Sequence, residues 1–366
     1  MKVLHANNTA NFAYYIVKTL RSAGINADLL MQKYPLITAD PKGFDKEMQE
    51  YPDWILFWDN KSEKWKSEIK RHIKDKKYDL IHAYGEFPMY AYLSRRPFLA
   101  HSLGSDMRKL AFAHSIRGIL LRRAYHKAKA VIYSSPDQYN HVVKLGLKNS
   151  IFLPTPWDYD KFTPQKVDRG DWNDKFVIFH PTNLNYSSKG NETFLRAFVR
   201  FSKELDCARL LLVDRGQDAQ RVKEFLTTSG VIDKVKLISG PLAQNEMYYY
   251  YNISDVVVDQ FIVGSVGLIA LETMSCAKPL IGYIDEGLYA SHYELVPPIL
   301  NCKDENAVYK ALMQLSNSSS LGDELGKKGR EWTVRYHSKD MFAKRCKGIY
   351  DGILANRDIR SIRDSL

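Results

Sequence analysis

The chain has 366 residues, of which 45% are hydrophobic and 12% are aromatic. This length and composition predict two globular domains of about 150 residues each and argue against a disordered chain. Lysine and arginine outnumber aspartate and glutamate by 11, so we expect a surface that attracts phosphates, anionic lipids or nucleic acid.

Four cysteines are spread through the chain without a C-x-x-C pair, which favours free, mostly buried thiols over disulfides or a metal site. The opening MKVLHANNTANF lacks the apolar run of a signal peptide. No stretch reaches the roughly 18–20 apolar residues of a membrane helix. We therefore expect a cytoplasmic protein that contacts the inner face of the cell membrane peripherally, without crossing it.

The first half alternates between apolar strands and helices. KVLHA predicts a strand, FAYYIVKTLRSAG a helix that stops at Gly24, and INADLLM a second strand. The pattern recurs in YDLIHAYG with FPMYAYLSRR, in FLAHSLG with a long basic helix, and in AVIYSS with PDQYNHVVKLG. Such alternation predicts a parallel sheet covered on both faces.

A second α/β domain follows a linker, LPTPWDYDKFTPQKVDRGDWNDK, which is rich in proline, aspartate and aromatic residues. Strands FVIFHPTN, ARLLLVD, KVKLISG and DVVVDQF then alternate with helices. We predict an α/β fold of two Rossmann-like domains, residues 1–160 and 161–336, whose parallel sheets face each other across a cleft. A helical segment, 337–366, is expected to pack back towards the N-terminal domain. Ligands of parallel sheets bind at the carboxyl ends of the strands.

Neither half contains the G-x-G-x-x-G turn of a dinucleotide site or a Walker phosphate loop, which argues against nicotinamide enzymes and P-loop NTPases. The stretch HPTNLNYSSKG instead carries Asn183 and Lys189 from a strand to a helix. Such a loop offers N–H groups and a cation to an anion. The alternative is an ordinary loop with a solvated lysine.

A second loop of this kind lies in VVVDQFIVGSVGLIALETM, where Gly264 and Gly267 occupy the turn between strand and helix. Glu272 falls in the first two turns of that helix, where a carboxylate can accept two hydrogen bonds from a vicinal diol such as ribose. Alternatively, Glu272 is solvated and complements the helix dipole.

The order of these motifs, KG and then G-x-x-x-x-E-x-M-x-x-x-K-P, resembles the C-terminal half of GT-B glycosyltransferases of the retaining family 4 type. YDLIHAYGE, HSLGSDMR and LPTPWDYDKFTP resemble further segments of that family in the family's order. The opening LHANNTANF resembles its first strand and loop. The resemblance implies a nucleotide-sugar donor bound by the C-terminal domain and an acceptor bound by the N-terminal domain.

The resemblance implies roles for particular residues. Lys189 would hold the donor diphosphate and Glu272 the nucleotide ribose. His101, our candidate catalytic residue, would lie beside the transferred sugar. On the acceptor side we place Asn8, Asn11 and His82. The alternative for both histidines, which end predicted strands, is that they are structural polar residues with satisfied hydrogen bonds.

The sequence departs from the family at three places. Gly264 replaces the first of two glutamates that are eight positions apart, Asn183 stands where an arginine is usual, and Ala10-Asn11 replaces a doubled glycine. In the family, the glutamate that Gly264 replaces contacts the donor, so the identity of the donor sugar cannot be inferred from the resemblance. Asp259 and the N–H groups of the glycine turn are candidates to replace that contact.

Residues 107–136 contain seven lysines or arginines and no acidic residue. Apolar residues recur there at helical spacing: Leu110, Ala113, Ile116, Leu120 and Ala124. We predict a cationic amphipathic helix that contacts an anionic membrane or a lipid diphosphate acceptor. The alternative is a solvated helix packed on the sheet. No nucleic-acid motif accompanies the charge.

We therefore predict a glycosyltransferase that moves a sugar from a nucleotide-diphosphate donor to a glycan or lipid-linked acceptor, with retention implied by the resemblance. No cofactor besides the donor substrate is expected, and no metal, because no carboxylate cluster has ligand spacing. The alternatives are a nucleotide-sugar epimerase, a non-catalytic member of the fold that binds glycan or a partner, and a nucleic-acid-binding protein.

Overall fold

A computed structural model describes residues 1–36, 39–45 and 48–366 and divides the chain into two compact units. Unit 1 combines Met1–Pro156 with Lys339–Leu366, and unit 2 is Trp157–Ser338. These borders lie within four residues of the boundaries expected from the sequence. The C-terminal segment from Lys339 onward folds with unit 1.

The helices and strands follow one another in three stretches of chain. The first part of unit 1 contains β1 (Lys2–Ala6), α1 (Phe12–Ser22), β2 (Asn26–Gln32), α2 (Pro41–Phe44), β3 (Ile55–Trp58), α3 (Trp65–Lys74), β4 (Leu80–Tyr84), α4 (Pro88–Ser94), β5 (Phe98–His101), α5 (Ser105–Arg108), α6 (Ile116–Lys127), β6 (Val131–Tyr133), α7 (Tyr139–Lys144) and β7 (Ser150–Phe152). Unit 2 contains β8 (Phe176–His180), α8 (Tyr186–Lys189), α9 (Asn191–Glu204), β9 (Ala208–Asp214), α10 (Ala219–Thr228), β10 (Val235–Ser239), α11 (Gln244–Ile253), β11 (Val256–Val258), α12 (Leu268–Ser275), β12 (Leu280–Gly282), α13 (Glu286–Ala290), β13 (Leu300–Asn301), α14 (Glu305–Asn317) and α15 (Ser319–His337). Helices α16 (Lys339–Leu354) and α17 (Ile359–Asp364) complete unit 1.

Each unit has a parallel sheet of the doubly wound type. The strand order is β3-β2-β1-β4-β5-β6-β7 in unit 1 and β10-β9-β8-β11-β12-β13 in unit 2. The pairings β1·β4 and β8·β11 mark the points where the direction of sheet growth reverses. In such sheets the crevice at the carboxyl ends of these two strands is the usual ligand site. The predicted α/β class with two parallel sheets is confirmed.

Apolar residues at helical spacing fix α16 to unit 1. Cys346, Ile349, Tyr350 and Ile353 follow an i, i+3, i+4, i+7 pattern, and all four are buried. They belong to the same apolar core as residues of β1, β2 and α1. The C-terminal helix therefore supplies part of the core of unit 1.

The predicted long basic helix over residues 107–136 is wrong. The chain leaves α5 after Arg108, passes through a 3-10 turn at Leu110–Phe112, and begins α6 only after Ser115, whose side chain accepts a hydrogen bond from the Gly118 N–H. A Cβ atom at Gly118 would lie 2.3 Å from the Ala113 carbonyl oxygen. The preceding turn therefore packs tightly on α6 and interrupts any continuous helix.

The predicted apolar face of this segment is wrong at Ile116, which is 85% exposed. The buried face of α6 instead consists of Gly118, Leu121, Ala124 and Tyr125. Periodicity misassigned the face because the 3-10 turn and the extended Ala113 that follows it shift the helical phase.

Two expectations about special residues can be compared with the structure. All four cysteines are free, and Cys276, Cys302 and Cys346 are buried. In the described part of the chain, no helix has the length and apolarity needed to span a bilayer.

Candidate functional site

Two neighbouring loops of unit 2 lie where its sheet reverses. β11 ends at Val258, earlier than predicted, so Asp259 is the first residue of the loop. The Thr182 hydroxyl, just after β8, donates to Oδ1 of Asp259 at 2.8 Å. The Phe261 N–H donates to the Lys189 carbonyl oxygen at 2.8 Å. These two hydrogen bonds join the segment between β8 and α9 to the β11–α12 loop.

Gly190 allows the two loops to approach closely. Its φ of 70° is left-handed, and a Cβ atom there would lie 3.1 Å from Ile262 and 3.2 Å from Phe261. A larger residue would be strained by its backbone and crowded by its neighbours. α9 begins directly after Gly190, so its first N–H groups follow this close contact.

Lys189 is half-buried, and its ammonium makes no hydrogen bond or ion pair with any residue that the structure describes. It is close enough to Asp259 to lower the pKa of that carboxyl, although burial is the larger effect and raises it. Asn183, also half-buried, has no hydrogen-bond partner among the described residues either. A lysine, an amide and the N-terminus of α9 are thus available to an anion.

Glu272 lies in the second turn of α12 and is half-buried. Burial and the neighbouring Asp259 carboxylate raise the pKa of Glu272 to about 7, although the hydrogen bond from Tyr251 acts in the opposite direction. The Tyr251 hydroxyl donates to Oε2 at 2.6 Å and is its only donor among the described residues. The carboxylate therefore retains an oxygen that can accept from a ligand.

The glycine turn before α12 has an open side and a packed side. Gly264 has a φ of 69°, and a Cβ atom there would lie 3.1 Å from the Tyr283 ring. At Gly267 a Cβ atom would meet nothing within 4 Å. The buried Gln260 donates to the Ser265 carbonyl oxygen at 3.1 Å and so helps to fix the turn. The open side is therefore in front of the α12 N-terminus.

In unit 1 the predicted asparagines lie together but face inward. The Asn8 amide donates to Oδ1 of Asn11 at 3.1 Å and to the Ala39 carbonyl at 2.9 Å, and its own oxygen accepts from the Tyr14 N–H at 3.0 Å. Both asparagines are buried. They shape the loop between β1 and α1, and the Asn8 amide is fully occupied.

His82 and His101 also come together, at 3.1 Å between Nε2 and Nδ1. The other ring nitrogen of His101 lies 2.8 Å from the Ser134 hydroxyl. Neither histidine has exposed surface, and burial lowers the pKa of His101 to about 3. The His101 imidazole is therefore neutral, and both of its ring nitrogens have partners in the ligand-free structure.

The predicted residues thus form two groups, one in each unit. Asn183, Lys189, Gly264, Gly267 and Glu272 lie around the ends of β8 and β11. Asn8, Asn11, His82 and His101 lie around the ends of β1, β4 and β5. The described residues include no group of three or more His, Cys, Asp or Glu placed to hold a metal.

Sequence reasoning missed Thr182, Tyr251 and Ser134. Each forms a side-chain hydrogen bond with a residue that is distant in the chain, so no local sequence spacing identifies it. Tyr251 is one of four consecutive tyrosines, and only its burial distinguishes it from its neighbours.

Known protein families match the sequence of both units. Residues 9–156 match the family model Glycosyltransferase Family 4, and residues 163–332 match Glycosyl transferases group 1. The alpha-monoglucosyldiacylglycerol synthase of Acholeplasma laidlawii is 22% identical over 319 residues, which are 77% of this chain and 78% of that protein.

Two solved structures share the fold. Sucrose-phosphate synthase from Thermosynechococcus elongatus superposes with a TM-score of 0.73 at 17% identity, over 97% of this chain and 100% of that chain. HepE from Anabaena, in complex with UDP-glucose, superposes with a TM-score of 0.75 at 13% identity, over 96% and 100%. At these identities the likeness shows the two-domain GT-B fold.

We predict that Glu272→Gln stabilises the ligand-free protein at pH 8 but not at pH 5. A carboxyl whose pKa is raised on folding binds its proton more tightly in the folded state, so stability falls as pH rises from about 4.5 to 7. Glutamine removes this penalty, worth about 1–3 kcal/mol at pH 8. Thermal unfolding at both pH values measures this difference in stability.

Tyr251→Phe is the matched control and should destabilise the protein more at pH 8 than at pH 5. Equal effects of Glu272→Gln at both pH values would contradict the buried-carboxylate account.

Proposed function

Because the chain belongs to the group 1 and family 4 glycosyltransferases of the GT-B fold, we propose that it transfers a sugar from a nucleotide-diphosphate sugar to a lipid-linked or glycan acceptor. In this proposal unit 2 binds the donor and unit 1 the acceptor. The observation that carries it is the unpaired Lys189 ammonium at the α9 N-terminus, near the Asp259 carboxyl, which also interacts electrostatically with the half-buried Glu272.

Lys189 and the first N–H groups of α9 bind the donor diphosphate. Negative charge develops on this group as the sugar leaves, so a fixed cation and helix N-terminus stabilise the transition state more than the ground state. We propose that this positive charge replaces a metal ion, and that the donor is a substrate with no further cofactor. Retention of the anomeric configuration is proposed from the family resemblance.

Glu272 binds the nucleotide ribose through its diol, and Tyr251 orients the carboxylate. Binding two hydroxyl donors favours the ionised form, so the nucleotide compensates part of the burial cost of Glu272. Asp259, close to both Lys189 and Glu272, is placed to take over the donor contact that the family makes with the glutamate at position 264.

A lipid acceptor is supported by two observations. The Acholeplasma relative is named for a glycosylated diacylglycerol. In unit 1, α6 presents Ile116, 85% exposed, and Ile119, 39% exposed, with exposed Arg123 and Lys127 on the same helix. Apolar side chains beside cations suit the boundary between headgroups and acyl chains of an anionic membrane. We propose that this surface brings the enzyme to its acceptor at the inner face of the cell membrane.

Two arginines of the predicted cationic segment, residues 107–136, form an ion pair or hydrogen bonds within unit 1. Arg117 pairs with Glu86, and the Arg122 guanidinium donates to the carbonyls of Ala111 and Ala113. Arg122 therefore stabilises the turn before α6. Membrane contact is better tested at Ile116, Arg123 and Lys127.

Lys189→Ala is expected to weaken binding of a nucleoside diphosphate about tenfold to a hundredfold. A hydrogen bond to a charged group is worth about 1.5–3 kcal/mol, and about 1.4 kcal/mol corresponds to a factor of ten. Titration calorimetry with UDP and GDP measures the change. Lys203→Ala, at an exposed position near the end of α9, is the control and should leave affinity unchanged. If Lys189→Ala binds as tightly as the wild type, the diphosphate role is excluded.

Membrane binding should be weak, charge-dependent and sensitive to salt. Each cation near an acidic surface contributes about 1 kcal/mol. The attraction should fade as the Debye length falls from about 10 Å at 0.1 M salt to about 3 Å at 1 M. Co-sedimentation with neutral and acidic vesicles should show binding to acidic ones only, lost in Ile116→Ser/Arg123→Gln/Lys127→Gln. Lys70→Gln/Lys74→Gln, on α3, removes two charges elsewhere and should retain binding. Binding that ignores lipid charge would refute this surface.

A further inference from the structure

The N-terminal ends of three helices lie side by side in unit 1. α3, α4 and α6 share one apolar core on the sheet, and each comes after a strand whose carboxyl end lies at the same edge. The Trp65 ring, at the first residue of α3, lies 6.1 Å from the Tyr90 ring of α4. Glu86, two residues before α4, forms an ion pair with Arg117 of α6. These contacts make the three helix ends one continuous surface.

Aromatic rings on this surface are held in place by packing. Trp65 and Tyr90 are half-buried, and each rests on a buried ring behind it. The ring centroids are 5.5 Å apart for Trp65 and Trp58, and 5.3 Å apart for Tyr90 and Phe87. Trp58 ends β3, and Phe87 directly precedes α4. The outer two rings are therefore fixed, and part of each faces solvent.

Tyr34 adds a third outer ring, beyond the end of β2, and is 43% exposed. Its backbone N–H donates to the Asn60 side-chain oxygen at 3.0 Å, and the Asn60 amide donates to the Tyr34 carbonyl oxygen at 2.9 Å. The ammonium groups of Lys33 and Lys61 lie 5.5 Å and 4.1 Å from the centroid of the Tyr34 ring. We define the strand-end surface by its aromatic and apolar residues: Tyr34, Trp65, Tyr90 and the 85% exposed Ile116.

Exposed lysines surround these rings. Lys64 and Lys66 flank Trp65, and the Lys66 ammonium lies 5.2 Å from the centroid of the Trp65 ring. With the two lysines beside the third ring they make four cations. The acids between β3 and α3 are Asp59 and Glu63, so the lysines outnumber them two to one. The surface is cationic as well as aromatic.

This composition fits a membrane–water interface better than a protein partner. Tryptophan and tyrosine are enriched at membrane interfaces, because one end of each side chain is apolar and the other is polar. Lysine can extend its ammonium to the headgroups while its stem lies on apolar surface. Protein–protein interfaces, by contrast, are depleted of lysine. We propose that the strand-end surface lies in the headgroup region of an anionic membrane.

The membrane contact then extends from α6 across α4 to the start of α3. Ile116 belongs both to the α6 surface proposed above and to the strand-end surface, so the two are continuous. The bilayer would contact unit 1 on the side where the carboxyl ends of its strands lie, which is the side where parallel sheets bind ligands. A lipid acceptor would thus meet these strand ends while its headgroup stays at the membrane surface. This inference rests on the proposed lipid acceptor.

Fluorescence quenching by brominated lipids tests the position of Trp65. The chain has six tryptophans, so the contribution of one is obtained by difference. At saturating lipid, acidic vesicles with bromine on the acyl chains should quench part of the wild-type fluorescence. Trp65→Phe, which keeps an apolar ring, should lose most of that quenching. Trp172→Phe, which changes a half-buried tryptophan of unit 2, is the control and should retain it. Unchanged quenching in Trp65→Phe would overturn the inference.

Co-sedimentation with acidic vesicles tests the lysines. Lys64→Gln/Lys66→Gln removes two cations from the strand-end surface and should lower the affinity about tenfold, as expected for two charges near an acidic surface. Lys70→Gln/Lys74→Gln, towards the other end of α3, is the matched control and should bind as the wild type does. All four lysines are exposed, so neither variant changes the packing of unit 1. Equal binding by both variants would contradict the inference.

These outcomes separate the inference from the proposed function. If vesicle binding depends on Arg123 and Lys127 but not on Lys64 and Lys66, the membrane contacts α6 alone, and this inference fails while the lipid-acceptor proposal stands. A wild-type dimer in analytical ultracentrifugation that Trp65→Ser abolishes would assign the surface to a second copy of the chain and overturn the membrane contact. Binding of UDP or GDP to unit 2 should be the same in all these unit 1 variants as in the wild type.

Discussion

The hydrogen bond between the Thr182 hydroxyl and the Asp259 carboxylate is the constraint on which the candidate donor site depends. It joins the loops that follow β8 and β11, where growth of the sheet reverses, and a hydrogen bond from Phe261 to Lys189 joins the end of α8 to the second of these loops. Asp259 interacts electrostatically with both Lys189 and Glu272, so the proposed phosphate-binding and ribose-binding groups share one buried carboxyl. Under this proposal, a change at Thr182 should affect both parts of the donor site.

The buried polar groups of the two units differ in protonation and in hydrogen bonding. In unit 2, burial raises the pKa of both Asp259 and Glu272, and the ligand-free protein bears a cost that a nucleotide can offset. In unit 1, the histidines stay neutral, and each ring nitrogen has a partner. A satisfied network of this kind orients a group without holding charge. Burial therefore disfavours ionisation of the two carboxyls of unit 2, whereas the buried histidines of unit 1 are neutral and hydrogen-bonded.

Much of the fold could be predicted from the sequence, because alternating apolar strands and helices specify parallel sheets with little ambiguity. Lys189 and Glu272 could be proposed as site residues because each follows a strand and a loop that contains or adjoins a glycine. The partners of Glu272 and His101, Tyr251 and Ser134, could not be predicted, since only tertiary packing brings them together. The long basic helix was wrong because periodicity cannot show that Ser115 caps a new helix after a tight turn.

Titration calorimetry of a nucleoside diphosphate and of pyrophosphate, with the wild type and Glu272→Gln, tests the central claim most directly. The claim is that unit 2 binds a nucleotide with its diphosphate at Lys189 and its ribose at Glu272. We expect Glu272→Gln to weaken nucleoside diphosphate binding about tenfold or more, the loss of a hydrogen bond to a charged group, and to leave pyrophosphate binding nearly unchanged. Equal losses for both ligands, or no loss for either, would contradict this arrangement of the site.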